Sequence, residues 1–344
     1  MKKSWRLLRL CFIANFVAAL IFSGANPAQA FGMFPNASEW DHVRDIAARE
    51  PAARQLMQAR MADAERIISA GAIKTPADLQ TLAYVWRYTN RPHIRDALQR
   101  YLLLYMRDTG PSGNPLQDGY AHPAMIAAQQ ARGLFSPADQ RLIDARLLEY
   151  VTAMRDWRQR NARNDNWAAW AVATAGLAAL AADNEAGLQW AAREARLIMD
   201  ASLRADGSSE DFHHRDSLAY HMYLLTPLLT LAQALKVRQI DLYAYKSVRG
   251  ASLPQALSFM LPFAQGRAQH LEFVNSRYEP DKTTLHGDKL GKPWSFGEGG
   301  RAFLMADAFD GRWGDLDRAR KGAGPYPDGI TVYLLNRATR DLSP

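Results

Sequence analysis

The chain has 344 residues with 42 Lys and Arg against 35 Asp and Glu, but residues 1–30 hold four of the basic residues and none of the acidic ones. The rest of the chain, with 38 basic and 35 acidic residues, is therefore close to neutral. This argues against nucleic-acid binding and against a bulk field that attracts polyanions. The single cysteine, Cys11, also lies in this leading segment, so residues 31–344 can have no disulfide, thiol nucleophile or cysteine metal ligand.

Residues 1–30 have the three-part pattern of a secretory signal peptide. A basic start is followed by an apolar run from Leu10 to about Phe22, and Ala28-Gln29-Ala30 supplies the small residues of a cleavage site. The apolar run is short for a membrane anchor. The sequence therefore predicts cleavage after Ala30 and a mature protein that is periplasmic or secreted, with no membrane segment.

Beyond residue 50 the sequence predicts one helix after another. Apolar residues recur at helical spacing, as in Leu79, Leu82 and Ala83 behind Pro76 in a first-turn position. Similar patterns predict helices at 50–71, 76–88, 92–107, 122–133, 136–160, 166–182, 184–203, 216–236, 252–266 and 300–310. Sustained strand alternation is not found in the sequence.

Most connections between these helices are short, so neighbouring helices should pack as antiparallel hairpins. The helices are too many for a four-helix bundle. The sequence has no repeat of fixed length, so a solenoid of helical repeats is not favoured. Residues 31–344 are therefore predicted to form one all-α domain, an (α/α) toroid or barrel. Two long polar loops, 109–121 and 275–300, are rich in Gly and Pro and are candidate substrate-binding segments.

The densest group of polar and aromatic side chains follows an Asp-Gly-Ser turn at 206–208. Asp216 or Ser217 can cap the helix that comes next. On that helix Asp216, Tyr220 and Tyr223 should share one face. The two tyrosines could equally be core aromatics. This helical face therefore indicates a functional site only when the neighbouring polar residues are considered with it.

Those neighbours are His213, His214 and Arg215 just before the helix and His221 within it. Any one of them could be a structural residue, and His221 could be a hydrogen-bonded core histidine. A zinc site built from the three histidines is weakly supported, because the His-Glu-x-x-His spacing and a clear carboxylate ligand are missing. Taken together, the cluster indicates a catalytic site without a metal.

A second candidate segment precedes the predicted helix at 166–182. Asn164 and Asn166 are good helix caps but would also suit a cleft. Trp167 and Trp170, three residues apart, could pack in the core or stack on sugar rings. Alone, this segment does not distinguish the two interpretations.

Together the segments resemble a known family. Asn-Asp-Asn-Trp-Ala-Ala-Trp at 164–170, followed about forty residues later by Asp-Gly-Ser and then Ser-Leu-Ala-Tyr-His-Met-Tyr at 217–223, is similar to the alginate lyase family. The stretches Phe273–Ser276, Asp281-Lys282 and Lys292–Trp294 are similar too. The resemblance covers roughly residues 80–300. It implies an incomplete α/α toroid that cleaves an acidic (1→4)-linked uronic-acid polymer by β-elimination without a cofactor.

The resemblance also assigns roles by position. Tyr220 matches the catalytic tyrosine, and Arg215 is the nearest equivalent of the family arginine, at an unexpected spacing. Asn166 matches the asparagine that contacts the substrate carboxylate if Trp167 replaces the family histidine; on the alternative alignment Asn164 stands in the place of the histidine. His213 and His214 are the candidates for its role. This departure makes glucuronan a serious alternative to mannuronan.

β-Elimination requires that the uronate carboxylate accept the charge left when the C5 proton is removed. Asn, His and Arg donors can supply that stabilisation, each contributing about 3–4 kcal/mol. Tyr220 would then remove the proton, its pKa of about 10 being lowered by Arg215 or a protonated histidine. The same hydroxyl can return a proton to the leaving oxygen in a syn elimination. Further substrate contacts are expected from Trp167, Trp170, His221, Tyr223, Lys282, Lys292 and Arg277.

Two other functions fit the sequence. A glycoside hydrolase on an α/α toroid would need two carboxylates, for which Asp165, Asp211 and Asp216 are available. A non-catalytic periplasmic component that binds or exports polysaccharide would explain the missing histidine. In each case we expect a monomer.

Overall fold

The computed structural model describes residues 33–313, so the predicted signal peptide and its cleavage site lie outside the described residues. Within this range the α-helices are α1 Ala37–Arg49, α2 Pro51–Ser69, α3 Pro76–Thr89, α4 Pro92–Asp108, α5 Pro115–Asp118, α6 His122–Ala131, α7 Pro137–Arg160, α8 Asn166–Ala181, α9 Glu185–Ser202, α10 Glu210–Arg215, α11 Leu218–Lys236, α12 Leu253–Ala264 and α13 Gly300–Asp310. Two isolated β-bridges, and no strand, occur among residues 33–313. The all-α prediction is confirmed.

Local start signals explain the helix boundaries. Proline occupies a first-turn position in α2, α3, α4 and α7, where a missing N–H costs nothing. Thr75 and Asp78 form a capping box ahead of α3, and Ser136 caps α7. All ten predicted helices consequently agree with the structure to within about two residues at either end, the usual ambiguity of helix boundaries.

The helix predicted at 216–236 begins two residues later in the structure, and the short helix α10, which was not predicted, precedes it. Asp216 adopts a left-handed conformation with φ of +48° and ends α10, and Ser217 then caps α11 by accepting from the Tyr220 N–H. Asp216 is therefore outside the helix, and the prediction that it shares a helical face with Tyr220 and Tyr223 is wrong. The structure also adds α1, which a capping box of Asn36 and Glu39 begins.

Helix α8 is the centre of the packing. It lies against α6, α7, α9 and α11, and nearly every residue from Ala168 to Ala181 is buried. Its alanine-rich sequence allows these neighbours to approach closely on all sides. The exceptions are Trp167 and Trp170, which are half-exposed near its N-terminus. The end of α8 that faces solvent is thus the end that carries the candidate site residues.

Helix α11 is the one helix within residues 33–313 that is long and apolar enough to cross a membrane by length and composition. However, 78% of its apolar window is buried by the rest of the fold. Burial in the core accounts for its hydrophobicity.

The turn between α9 and α10 places α10 and depends on a glycine. Gly207 has φ of +89°, and a Cβ built there would lie 2.5 Å from the backbone oxygen of Gln255 in α12. We expect Gly207→Ala to lower the free energy of unfolding by about 2–4 kcal/mol, measured by chemical denaturation. Gly250→Ala is the control, since Gly250 has φ of +82° with nothing within 4 Å. It should cost only about 1 kcal/mol, and equal losses in both variants would contradict the close-contact argument.

Candidate active site

The first turn of α8 is joined to α10 by one carboxylate. The backbone N–H and side-chain amide of Asn166 both donate to Oδ2 of Asp211, over 2.8 and 3.3 Å. Both residues are buried, and Oδ1 of Asn166 has no hydrogen-bond partner in the structure. Asp211 therefore orients the asparagine that sequence analysis assigned to the substrate carboxylate.

The environment of Asp211 favours its neutral form. Burial raises the pKa of Asp211 from about 3.8 to about 7, and the nearby charge of Asp165 adds to this effect. The two hydrogen bonds from Asn166 and the charge of Arg215 lower the pKa but do not offset the burial. This carboxyl therefore keeps its proton to a higher pH than an ordinary aspartate.

This shift predicts a pH dependence of stability that Asp211→Asn should remove. Because the folded-state pKa lies above the unfolded one, ionisation destabilises the fold as pH rises from about 4 to about 7, and the loss stays constant above that. Between pH 5 and pH 8 the unfolding free energy of Asp211→Asn should gain about 3 kcal/mol relative to the parent. Denaturation midpoints at the two pH values measure this, and a difference that does not change with pH would contradict it.

The phenol of Tyr220 is surrounded by four side chains. The Arg215 guanidinium carbon lies 3.8 Å from the centre of its ring, and its hydroxyl lies 3.2 Å from Nε2 of His286. The rings of Tyr223 and Phe273 meet it edge-on at 6.4 and 6.1 Å. Tyr220 is only partly buried, so part of its side chain is open to solvent.

Arg215 is fixed in turn by an ion pair. Its Nε donates over 2.5 Å to Asp281, and its Nη2 donates to the other carboxylate oxygen. Asp281 is completely buried and also accepts from the Ser276 hydroxyl at 2.6 Å. Burial alone would raise the pKa of Asp281, but the hydrogen bonds from Arg215 and Ser276 hold it below its usual value. Two of the guanidinium nitrogens are thus engaged within the protein.

The expected lowering of the Tyr220 pKa does not occur. Burial raises the pKa of Tyr220 above its usual 10, and although Arg215 acts in the predicted direction, Asp281 and Asp211 oppose it. A phenol in this environment keeps its proton unless a neighbouring group accepts it.

A cavity of about 300 Å³ brings together four of the predicted residues. Its lining residues are Asn164, Asp165, Arg204, Glu210, Asp211, His213, His214 and Arg277. Asn164 accepts from Arg158 at 2.7 Å, and the His213 ring is 2.8 Å from the Ser208 hydroxyl. Among the histidines that the structure describes, the ring that reaches the Tyr220 hydroxyl belongs to His286, and not to His213 or His214.

Aromatic residues continue from Tyr220 along one side. Tyr223, 38% exposed, lies 5.3 Å from Trp170, whose ring packs closely over Gly119 in the loop that precedes α6. Trp167 instead stacks at 6.4 Å on Trp157 of α7. Trp170 and Tyr223 therefore form a surface beside the phenol, while the ring contact of Trp167 is with α7.

The predicted substrate contact of His221 is wrong. The side chain is completely buried, Nδ1 is 2.9 Å from the Ser209 hydroxyl and Nε2 is 3.1 Å from the Ala256 carbonyl. Both ring nitrogens are occupied inside the protein. His221 is a core histidine that links α11 to the N-cap of α10 and to α12.

The basic residues of the predicted substrate loop lie at the surface. Arg277 and Lys292 are exposed, and Lys282 is half-exposed with its ammonium 3.8 Å from Glu279. Arg277 lines the cavity. The contacts of Lys282 and Lys292 are those expected of solvated charges in a loop. Their role as contacts for flanking uronates stays a prediction.

Sequence analysis missed His286, the partner of Tyr220, and the positioning role of Asp211. His286 lies in a loop without a motif, 66 residues from Tyr220, so no local signal could identify it. Within residues 33–313 no group of three or more His, Asp or Glu side chains could hold a metal ion.

Comparison with known proteins identifies the class of the chain. The alginate lyase family model matches residues 36–270, and the chain therefore belongs to the alginate lyase family and is a polysaccharide lyase. No curated protein sequence matches it significantly.

Two solved structures have a similar fold. An alginate lyase from Bacteroides ovatus has a TM-score of 0.53 at 14% identity, with 75% of this chain and 72% of that chain covered. A histidine variant of alginate lyase A1-III, from Sphingomonas species A1 and complexed with a tetrasaccharide, has a TM-score of 0.51 at 18% identity, with 74% and 73% covered. The prediction of an α/α toroid is confirmed.

Proposed function

We propose that this polysaccharide lyase cleaves a (1→4)-linked uronic-acid polymer by β-elimination, with Tyr220 as the group that moves the proton. The observation that supports this most is the position of the phenol. The side chain is only partly buried, with a guanidinium over its ring and an imidazole at hydrogen-bond distance from its hydroxyl. A tyrosine in the core would lack both the access and the charged partner.

The reaction removes the C5 proton of a uronate and expels the oxygen on C4. In the proposal the Tyr220 oxygen takes the C5 proton and then gives a proton to the leaving oxygen, which suits a syn elimination because both atoms lie on one face of the sugar. Arg215 lies against the phenol ring and stabilises the phenolate by its charge. With two nitrogens bound to Asp281, it contributes less to substrate binding than the sequence suggested.

The carboxylate of the reacting uronate must be stabilised by other donors. Asn166 is the first candidate, since Asp211 holds it at the start of α8. Arg277, His213 and Asn164 line the adjoining cavity and can bind the carboxylate of this or the next sugar. The substrate chain would run from this cavity, past Tyr220, along the surface of Trp170 and Tyr223.

A direct assay tests the proposal. The purified protein is incubated with mannuronan, guluronan, glucuronan and pectate, and the C4–C5 double bond of the product is followed by its ultraviolet absorbance. We expect an increase with at least one of the four polymers. The A1-III structure is a complex with a tetrasaccharide. Mannuronan and glucuronan are the first polymers to test, because the missing family histidine leaves the choice between them open.

The same assay tests the hydrolase alternative, which one observation favours. Asp211, with a pKa of about 7, has the property of a general acid. A hydrolase would shorten the polymer and release reducing ends without any increase in absorbance. That outcome would overturn the lyase proposal.

The predicted signal peptide adds a location to the proposal. An acidic polysaccharide outside the cytoplasm would be the substrate of an exported enzyme cut after Ala30. N-terminal sequencing of the protein recovered from its native cell would test this, with a start at Phe31 as the expected result.

A further inference from the structure

The loop that follows α12 is attached to the first turn of α11, on which Tyr220 lies. The buried carboxylate of Glu272 accepts from the Ser217 hydroxyl and from the backbone N–H groups of Leu218 and Ala219, at 2.9 and 3.4 Å for the last two. A carboxylate at a helix N-terminus satisfies donors that have no partner within the helix. The loop is therefore part of the structure around Tyr220 and not a loose connection.

Further bonds hold the same loop on α10. The Phe273 N–H donates to the Asp216 carbonyl over 2.7 Å, and the Arg277 N–H donates to the His214 carbonyl over 2.9 Å. The ion pair of Asp281 with Arg215 adds a third attachment. The family match ends at residue 270, so the loop residues that make these attachments lie beyond it.

One residue of the loop is strained. Phe273 has φ of +65°, a conformation that is rare for a bulky side chain and costs about 1–3 kcal/mol. Its buried ring stacks face to face on His286, with centroids 4.7 Å apart and planes 5° apart. The strained backbone thus supplies the platform on which the imidazole lies.

The imidazole so placed can accept a proton. Its Nε2 is 3.2 Å from the Tyr220 oxygen. The charged groups around it are Asp281 and Asp288, which favour the protonated ring, and Arg215 and Lys289, which oppose it. Burial is the largest effect, and the pKa of His286 lies below its usual 6.5. The shift favours the neutral ring, in which one of the two nitrogens has no proton and can accept one.

We infer that His286 is the proton acceptor of Tyr220, a role that the sequence analysis assigned to no residue. This inference rests on the proposed lyase activity and assigns that reaction a residue outside the family match. Without such an acceptor, a phenol in this environment would remain protonated and could not act as a base.

Both Tyr220 and His286 return to their initial protonation states at the end of one turnover. The phenolic proton moves to Nε2 of His286, leaving a phenolate beside Arg215. The phenolate takes the C5 proton, the electrons of the C5–H bond form the C4–C5 double bond, and the C4–O bond breaks. Tyr220 gives its proton to the leaving oxygen, and His286 then returns its proton to Tyr220.

The test is the substitution of His286 by Gln and by Ala. Gln keeps a hydrogen-bond acceptor for the phenol but cannot take its proton, so both variants should lose at least about 100-fold in kcat. KM should change by less than about threefold, because the ring is assigned no contact with substrate. His93→Gln, at an exposed histidine paired with Glu65 on the outside of α4, is the matched control and should retain parent activity. Circular dichroism and melting curves confirm that each variant is folded.

The pH profile separates proton transfer from simple positioning. In the parent, kcat/KM should fall at acid pH, where His286 becomes protonated, and the midpoint of this acid limb should lie below the usual imidazole pKa. This acid limb should persist in Asp211→Asn and should be absent from the residual activity of His286→Gln.

Each result decides the inference. Full activity of His286→Gln, or an acid limb that survives in it, would overturn His286 as proton acceptor while leaving the lyase proposal intact if Tyr220→Phe is inactive. Absence of unsaturated product from the parent on all four polymers would overturn both.

Discussion

Tyr220→Phe is expected to lower kcat by about 1,000-fold or more while the protein stays folded and binds its polymer. The substitution removes the one oxygen that is assigned both the removal of the C5 proton and the protonation of the leaving group, and each such transfer contributes about 10²–10⁴-fold. The ring contacts with Arg215, Tyr223 and Phe273 remain, so packing should be little changed. Initial rates of double-bond formation at saturating substrate measure the effect.

Binding is measured separately by calorimetry with the same polymer. The affinity should stay within about threefold of the parent, since the lost interaction belongs to the transition state. Tyr245→Phe is the control: it deletes a phenol that bonds Asp200 on α9 and packs against Arg196, and it should keep parent kcat. A Tyr220→Phe variant with more than about a tenth of parent kcat would contradict the assigned role.

Asp281→Asn is expected to give the largest loss of stability among the charged residues of the site. The parent carboxylate is completely buried and forms two hydrogen bonds with Arg215, which is 14% exposed. Removing one partner of a buried pair leaves the other charge uncompensated, at a cost of about 3–5 kcal/mol. Denaturant titration at pH 7 measures the change in unfolding free energy.

The cost should depend on pH in a defined direction. Because the folded-state pKa of Asp281 is below the unfolded value, the stability it contributes is complete above about pH 4 and is lost as pH falls through the folded-state pKa. The difference between parent and variant should therefore narrow toward pH 3. Asp183→Asn, which breaks a solvent-exposed pair with Arg238, is the control and should cost less than about 1 kcal/mol. Equal losses in the two variants would refute the burial argument.

The helices could be predicted from the sequence because their signals are local. Pro76 and Pro137 in first turns, Thr75 and Ser136 as caps and apolar residues at helical spacing specify where each helix begins and which face it buries. The left-handed conformation of Asp216, which separates α10 from α11, was missed. It depends on hydrogen bonds to residues 270, 273 and 275, which are distant in sequence. His221 was misassigned for a similar reason, since its two partners lie on other elements.

The sequence by itself determined the helical class of this protein, the family, and the tyrosine around which a site should form, since a motif on one helix carries that information. Only the tertiary structure decided which histidine meets Tyr220, which carboxylates hold Asn166 and Arg215, and in which direction the phenol pKa moves. The contacts of Tyr220 and Arg215 arise where a loop 66 residues further along the chain is packed on α10 and α11, and the contact of Asn166 arises where α8 meets α10. These contacts and the pKa shift of Tyr220 result from burial and from packing between distant segments, and neither cause can be read from a local sequence pattern.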